Sequence, residues 1–248
     1  MNERFFRDIE LYFKENGFNL IRRVDLKVYD ANCAGNRASN SIMPDAVSGI
    51  LIGFAGREFW NHLNDFIDGD HGSNISDSNP VDDYTLWHFE QSKEILSRFR
   101  LSHEFCFPFG YESMALDFSL LGKLSGVGVP SLLGILIDPE YGTWISIRGL
   151  IITDLEFGHY DKPLDGFNPC PDCSKPCITS CPSSSIGEVV GWDHNKCIDY
   201  WVESGDCING CYSRIACPYG AEHRYSSKQM THHQKSVFSY LETQKHRL

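Results

Sequence analysis

The chain has 248 residues, a formal net charge of −11, and hydrophobic and charged fractions of 42% and 22%. That length and composition suit one large domain with a small appendage and a buried core, and the acidic balance argues against a broad nucleic-acid surface. No stretch approaches the roughly 18 apolar residues of a membrane span, and charges interrupt the N-terminus where a secretory signal needs an apolar run, so a cytoplasmic location is expected.

In chain order, Met1 to Asn16 predicts an amphipathic helix, with Phe5, Ile9 and Tyr12 or Phe13 at helical spacing. Val24, Leu26 and Val28 alternate with Asp25 and Lys27, the pattern of a half-buried strand, and Gly49 to Phe54 reads as a buried strand. Glu58 to Phe66 reads as a helix and residues 70–80 as a polar loop. Asp82 to Arg98 predicts a helix with Leu86, Phe89, Ile95 and Leu96 on one face. A short run from Glu104 to Phe109 precedes a helix over Met114 to Leu124. Leu132 to Ile137 and Thr143 to Thr153 read as two arms of a hairpin turning through Asp138 to Gly142. This order predicts an α+β sandwich over a doubly wound parallel sheet. After residue 160 the composition turns to cysteine, proline and glycine, too poor in apolar surface to fold unaided; a bound cofactor would supply the missing stabilisation. Three parts are expected: an α+β domain over 1–160, a cysteine module over 161–225 and a terminal helix over 226–248.

Eight of the ten cysteines fall in two groups. The first is Cys170-x2-Cys173-x3-Cys177-x3-Cys181-Pro182; the second is Cys197-x9-Cys207-x3-Cys211-x5-Cys217-Pro218. In a reducing compartment such clustering points to metal before disulfides. Four thiolates converging from short loops are what an iron–sulfur cubane needs, and the first run departs from C-x2-C-x2-C-x3-C-P by one residue. In two-cluster ferredoxins the last cysteine of each run serves the other cluster. That rule assigns Cys170, Cys173, Cys177 and Cys217 to one [4Fe-4S] cluster and Cys181, Cys197, Cys207 and Cys211 to a second. Zinc is the alternative, but it favours paired C-x2-C units, and only one such pair is present. Cys33 and Cys106 read as ordinary thiols. No G-x-G-x-x-G or G-x-x-x-x-G-K-[ST] is present to bind a nucleotide.

Three segments carry a resemblance: Asn79 to Phe89 (NPVDDYTLWHF), Gly134 to Leu150 (GILIDPEYGTWISIRGL) and Arg224 to Gln229 (RYSSKQ). In this order they resemble CblC-type cobalamin-processing proteins, which are cyanocobalamin reductases and alkylcobalamin dealkylases. The second segment, with Thr153 to Glu156 and the cysteines, also looks like epoxyqueuosine reductases. The resemblance implies a nitroreductase or flavin-reductase-like sandwich that binds a corrinoid, fused to a ferredoxin-like two-cluster module. Cyanide or alkyl removal from cobalamin would then draw electrons from the clusters, fed by a flavodoxin, ferredoxin or reductase. Arg148 and Arg224 match arginines of the CblC thiol-binding pocket, which implies cofactor-binding roles; on its strand alone, Arg148 reads as solvated or salt-bridged rather than functional. Asp83 of the Asp83-Tyr84 pair resembles the acid region of epoxyqueuosine reductases, and Asp83 and Arg148 are the catalytic candidates. His88 reads as a helix-surface histidine, His232 and His233 as solvated, and Trp144 as packing. The acidic balance and the short stretch after Cys217 set the chain apart from tRNA-binding epoxyqueuosine reductases. Two alternatives stay open: a ferredoxin-like electron carrier without corrinoid, and a cobalamin-dependent reductase of another small substrate.

Overall fold

The structure, a computed structural model, describes residues 2–76, 78–109 and 116–245, with side chains as far as Phe238. It divides into two compact units, one of residues 1–128 with 145–165 and the other of 129–144 with 166–248.

The first unit is built on a four-stranded antiparallel sheet of order β1-β2-β6-β3: β1 (Leu20–Asp25), β2 (Ser48–Ala55), β3 (His103–Cys106) and β6 (Ile145–Thr153). Every residue of β2 is buried, as its unbroken apolar run predicts. Helices cover both faces. Gly149 of β6 faces Phe89 of α4 (Pro80–Phe99), while Gly49 of β2 faces Leu150 and Leu26, the latter from α2 (Leu26–Asn32). Helix α1 (Asn2–Glu15) buries Phe5, Phe6, Ile9 and Phe13. Each such side chain contributes about 1.5–3 kcal/mol when fully removed from water. Phe13 meets Phe89 edge-to-face at 5.2 Å, tying α1 to α4. The unit is completed by α3 (Glu58–Asp68) and α5 (Phe118–Leu124).

Several sequence expectations change. The strand expected through Val28 ends at Asp25, because the Asp25 carboxylate accepts from the amides of Lys27 and Val28 and so caps α2. Leu86 is 43% exposed, whereas Phe89 and Leu96 of the expected face are buried, together with Val81, Tyr84 and His88. The run from Glu104 forms only the four residues of β3, and α5 starts at Phe118; Met114 and Ala115, at the head of the expected helix, lie outside the described residues. His88 is no surface residue: it is 4% exposed.

The expected hairpin of residues 132–137 with 143–153 does not form. The Asp138–Gly142 turn is present, with a bridge between those two residues, but its arms separate. β5 (Leu136–Ile137) pairs with β4 (Val129–Pro130), whereas both edges of β6 are taken by β2 and β3. The turn itself is committed to the second unit. Gly142 (φ +57°) and Gly220 (φ +65°) cross so closely that a Cβ on Gly142 would strike the Tyr219 carbonyl and one on Gly220 would strike Tyr141. Residues 129–144 therefore belong with the cysteine segment, and a division at residue 160 misses them.

The second unit also holds α6 (Pro176–Thr179), a small ladder of β7 (Ile186–Gly187) and β8 (Gly191–Trp192), α7 (His194–Ser204), α8 (Tyr212–Ala216) and α9 (Ser227–Lys245). The terminal helix is not a separate part: Phe238 of α9 stacks on Trp201 of α7 at 3.6 Å. Among the described residues no helix is long and apolar enough to cross a membrane.

Candidate functional site

All ten cysteines are free thiols. In the second unit, turns and short helices deliver eight of them. Lys175, in the left-handed conformation at φ +56°, redirects the chain between Cys173 and Cys177, and Pro176 then opens α6. Cys207 itself sits at φ +65°, and α8 separates Cys211 from Cys217.

The thiols act on one another in two sets. Burial pushes the Cys177 thiol up, and Cys217, Cys170 and Cys173 push it further. Cys217 is raised by burial and then by Cys170 and Cys173. These four line one recess with Leu132, Leu133 and Ile137. In the other set, burial and then Cys211, with Cys197 behind it, push Cys207 up to about 11. Cys197 is raised by burial, with Cys211 and Cys181 adding to it. Burial would also raise Cys181, but hydrogen bonds from Ser183, Ser185 and Ser213 outweigh it and bring that thiol down to about 7. Thiols packed this way repel one another once ionised, so they ionise together only where positive charge offsets the repulsion. Among the described residues, no group of three or more histidine, cysteine or carboxylate side chains is arranged to hold a single metal ion.

Arg148 sits in the first unit at a β-bulge. Ile52 opposes Gly149 and Gly53 opposes Ile147, so Arg148 has no partner on β2. Gly53 makes this possible: a Cβ there would strike the Ser146 carbonyl. The bulge lets two consecutive residues, Arg148 and Gly149, both meet α4, where strict alternation would send one of them to the other face. Its guanidinium pairs with Asp82 in the first turn of α4, its Nε lies 3.3 Å from Thr85 Oγ1, and it stacks 4.4 Å over the Phe109 ring. The side chain is 10% exposed. Of the two readings its strand allowed, the structure gives the salt-bridged one.

Asp83 does not stand free. Its Oδ2 accepts from the Ser76 amide at 2.8 Å and the Ser76 hydroxyl at 2.5 Å, which pins the preceding loop to α4. It also borders an open groove with Asn74, Trp87, Glu90, Phe105 and Phe107. Arg224 lies in the second unit, where its charge lowers the Cys217 thiol against the larger effect of burial. Trp144 is packing, as expected: it is 1% exposed, with the Arg214 guanidinium 4.7 Å above its ring. His232 and His233 are half-buried, and the His233 ring lies 5.2 Å from Tyr225.

Two features escaped the sequence. His88 Nδ1 lies 2.8 Å from Tyr12 Oη, while Nε2 is buried with no hydrogen-bond partner among the described residues; burial, with His62 nearby, lowers its pKa to about 4. The other is the ring of hydroxyls around Cys181. Three consecutive serines after Cys181-Pro182 were the available signal, but serine runs are common in loops and carry no ligand chemistry by themselves.

No family model matches the chain. It is 30% identical over 113 residues to the tetrachloroethene reductive dehalogenase of Sulfurospirillum multivorans, covering 38% of this chain and 22% of that protein. It is 28% identical over 125 residues to the epoxyqueuosine reductase of Listeria monocytogenes, covering 42% and 32%. The chain thus spans a third or less of the length of these curated relatives. Among solved structures, an epoxyqueuosine reductase bound to a tRNA-Tyr stem loop superposes with a TM-score of 0.63 at 14% identity, over 92% of this chain and 68% of that one. The B12-trafficking protein CblC of C. elegans superposes with a TM-score of 0.60 at 14% identity, over 92% and 90%. This chain shares their mixed helix-and-sheet fold. That epoxyqueuosine reductase is bound to a tRNA stem loop, which weighs against reading an absence of nucleic-acid partners from net charge, a sum over the whole chain.

Proposed function

We propose that this chain is an iron–sulfur redox protein that binds a corrinoid and reduces it, removing cyanide or an alkyl group. One four-iron cluster would be held by Cys170, Cys173, Cys177 and Cys217, and a second by Cys181, Cys197, Cys207 and Cys211. The observation that carries this reading is the separation of eight thiols into two sets of four by their nearest thiol neighbours, which matches the ferredoxin pairing rule.

The donor set fits. Four cysteines around an apolar recess suit a cubane, whose iron offsets the thiolate repulsion. In the first unit, the groove of Trp87, Phe105 and Phe107 offers aromatic faces, and Asp83, Glu90 and Asn74 offer oxygens to amide donors. That chemistry suits a large planar ligand rimmed with amides, as a corrinoid is. When bound, the clusters supply low-potential single electrons and the corrinoid supplies the cobalt chemistry. The chain's own residues bind, orient and exclude water. Asp83 fixes the loop bordering the groove, and Arg148 holds the start of α4 through Asp82. Arg224 contributes positive charge beside Cys217. A flavodoxin, a ferredoxin or a reductase would deliver the electrons.

A second reading, a cobalamin-dependent reductase of another small substrate, is favoured by the two curated relatives, both reductases.

The test is anaerobic reconstitution, iron and sulfide analysis, and visible spectra with and without cyanocobalamin. About eight iron and eight sulfide per chain are expected, with reduction of the bound corrinoid after excess dithionite is removed. Cys181→Ser should bind the corrinoid and reduce it poorly. Stoichiometric zinc without labile sulfide refutes the cluster assignment. Redox-active clusters with no corrinoid binding leave an electron carrier.

A further inference from the structure

In the set of Cys181, Cys197, Cys207 and Cys211, the sulfurs of Cys181 and Cys197 are met by side-chain donors. Cys181 Sγ lies 3.2 Å from Ser183 Oγ and 3.3 Å from Ser185 Oγ, and the Ser213 hydroxyl reaches the same sulfur. Ser185 also bonds Cys197, as does the Trp192 side chain, whose one donor is its indole N–H. Ser185 and Ser213 are 2% and 1% exposed, so water competes little for their protons. Ser183 donates to Ser185 at 2.9 Å, which leaves the single Ser185 proton for sulfur. A cysteine bound to iron is a thiolate and can only accept, so the Ser185, Ser213 and Trp192 contacts must then run from O–H or N–H to sulfur, the one Ser185 proton being shared between Cys181 and Cys197.

The set of Cys170, Cys173, Cys177 and Cys217 is met differently. Cys173 accepts from the Lys175 amide at 3.4 Å, while Cys177 and Cys217 engage backbone at Ile178 and Tyr219. Leucine and isoleucine side chains wall its recess, and Arg224 acts on Cys217 through charge.

We propose that Ser185, Ser213 and Trp192, with Ser183 orienting Ser185, raise the reduction potential of the cluster held by Cys181, Cys197, Cys207 and Cys211 and leave the other cluster unaffected. This rests on the two-cluster reading. One-electron reduction adds negative charge that spreads onto the sulfurs, so donors aimed at those sulfurs stabilise the reduced form more than the oxidised one. Burial strengthens the effect, because the local dielectric is low. The four residues are positioning residues, tuning the site without ligating iron. The two clusters are therefore separately adjustable, one through hydroxyl and indole donors and the other through a guanidinium.

The test is an anaerobic redox titration of the full reconstituted chain with dithionite and mediators, each cluster followed by its electron paramagnetic resonance signal. Ser185→Ala should lower one potential enough to change that cluster's oxidised-to-reduced ratio about tenfold at fixed potential, about 59 mV for a one-electron couple. Ser185→Thr should restore it. Trp192→Phe keeps an aromatic ring at a position 37% exposed and loses only the donor, so it should shift the same signal, by less. Arg224→Gln should move the other signal alone. If Ser185→Ala fails to hold iron, Trp192→Phe and Ser213→Ala decide the matter by the same criterion. Unshifted potentials in iron-replete variants, or equal shifts of both clusters, overturn this proposal while leaving the clusters in place. Zinc without labile sulfide in the wild-type chain overturns the two-cluster reading, and this proposal with it.

Discussion

Replacing Arg148 by methionine should destabilise the first unit by about 4–6 kcal/mol. The substitution keeps the apolar stem and removes the charge. Breaking a buried ion pair by deleting one partner costs roughly 3–5 kcal/mol, because the remaining charge is left without compensation. Asp82 is 23% exposed, so water recovers part of that cost and the lower half of the range applies. Loss of the bond to Thr85 and of the stacking over Phe109 adds about 1–2 kcal/mol. The assay is urea unfolding followed by circular dichroism, comparing midpoints at unchanged slope. Asp82→Asn combined with Arg148→Met should cost less than the sum of the two single variants, by about 1–3 kcal/mol. A single-variant effect under about 0.5 kcal/mol, or strict additivity, would show that the pair behaves as an exposed one. Arg148→Met should also weaken corrinoid binding while leaving iron content unchanged.

Three further outcomes follow from particular contacts. The His88 pKa lies at about 4 in the folded chain, below the usual 6.5, so its contribution to stability is complete above pH 6.5 and is lost as pH falls toward 4; the loss should amount to about 3 kcal/mol. In His88→Phe, this pH-dependent component of the unfolding midpoint should disappear; an unchanged acid limb would place the proton elsewhere. Gly142→Ala forces a Cβ against the Tyr219 carbonyl at φ +57°, a cost of about 1–3 kcal/mol for the backbone conformation alone. It should reduce iron retention at the group containing Cys217, read by iron analysis against Gly166→Ala, where a Cβ meets no neighbour. Finally, removal of metal should make residues 169–219 the first site of limited proteolysis while the sheet unit persists; uniform resistance after metal removal would show that the segment orders itself.

What could be read from the sequence was whatever local pattern controls. The helical spacing of Phe5, Ile9 and Phe13 and the unbroken apolar run of β2 have one low-energy solution each, and both elements form as expected. The spacing of the cysteines marked two runs, but Cys217 of the second run acts on the thiols of the first and Cys181 of the first acts on Cys197, an exchange that spacing alone does not give. Local pattern was insufficient where two distant segments compete for the same backbone. The alternation of Leu26 and Val28 was overridden by one capping carboxylate, and Asp138 to Gly142 makes its turn but gives its arms to different units. Arg148 sits at a bulge that depends on Gly53, nearly a hundred residues earlier, and His88 is packed against Tyr12 from another helix. Side-chain period follows from backbone geometry within an element, but partners follow from packing between elements. Only the tertiary structure decided which hydroxyls face a thiol and which charges face each other.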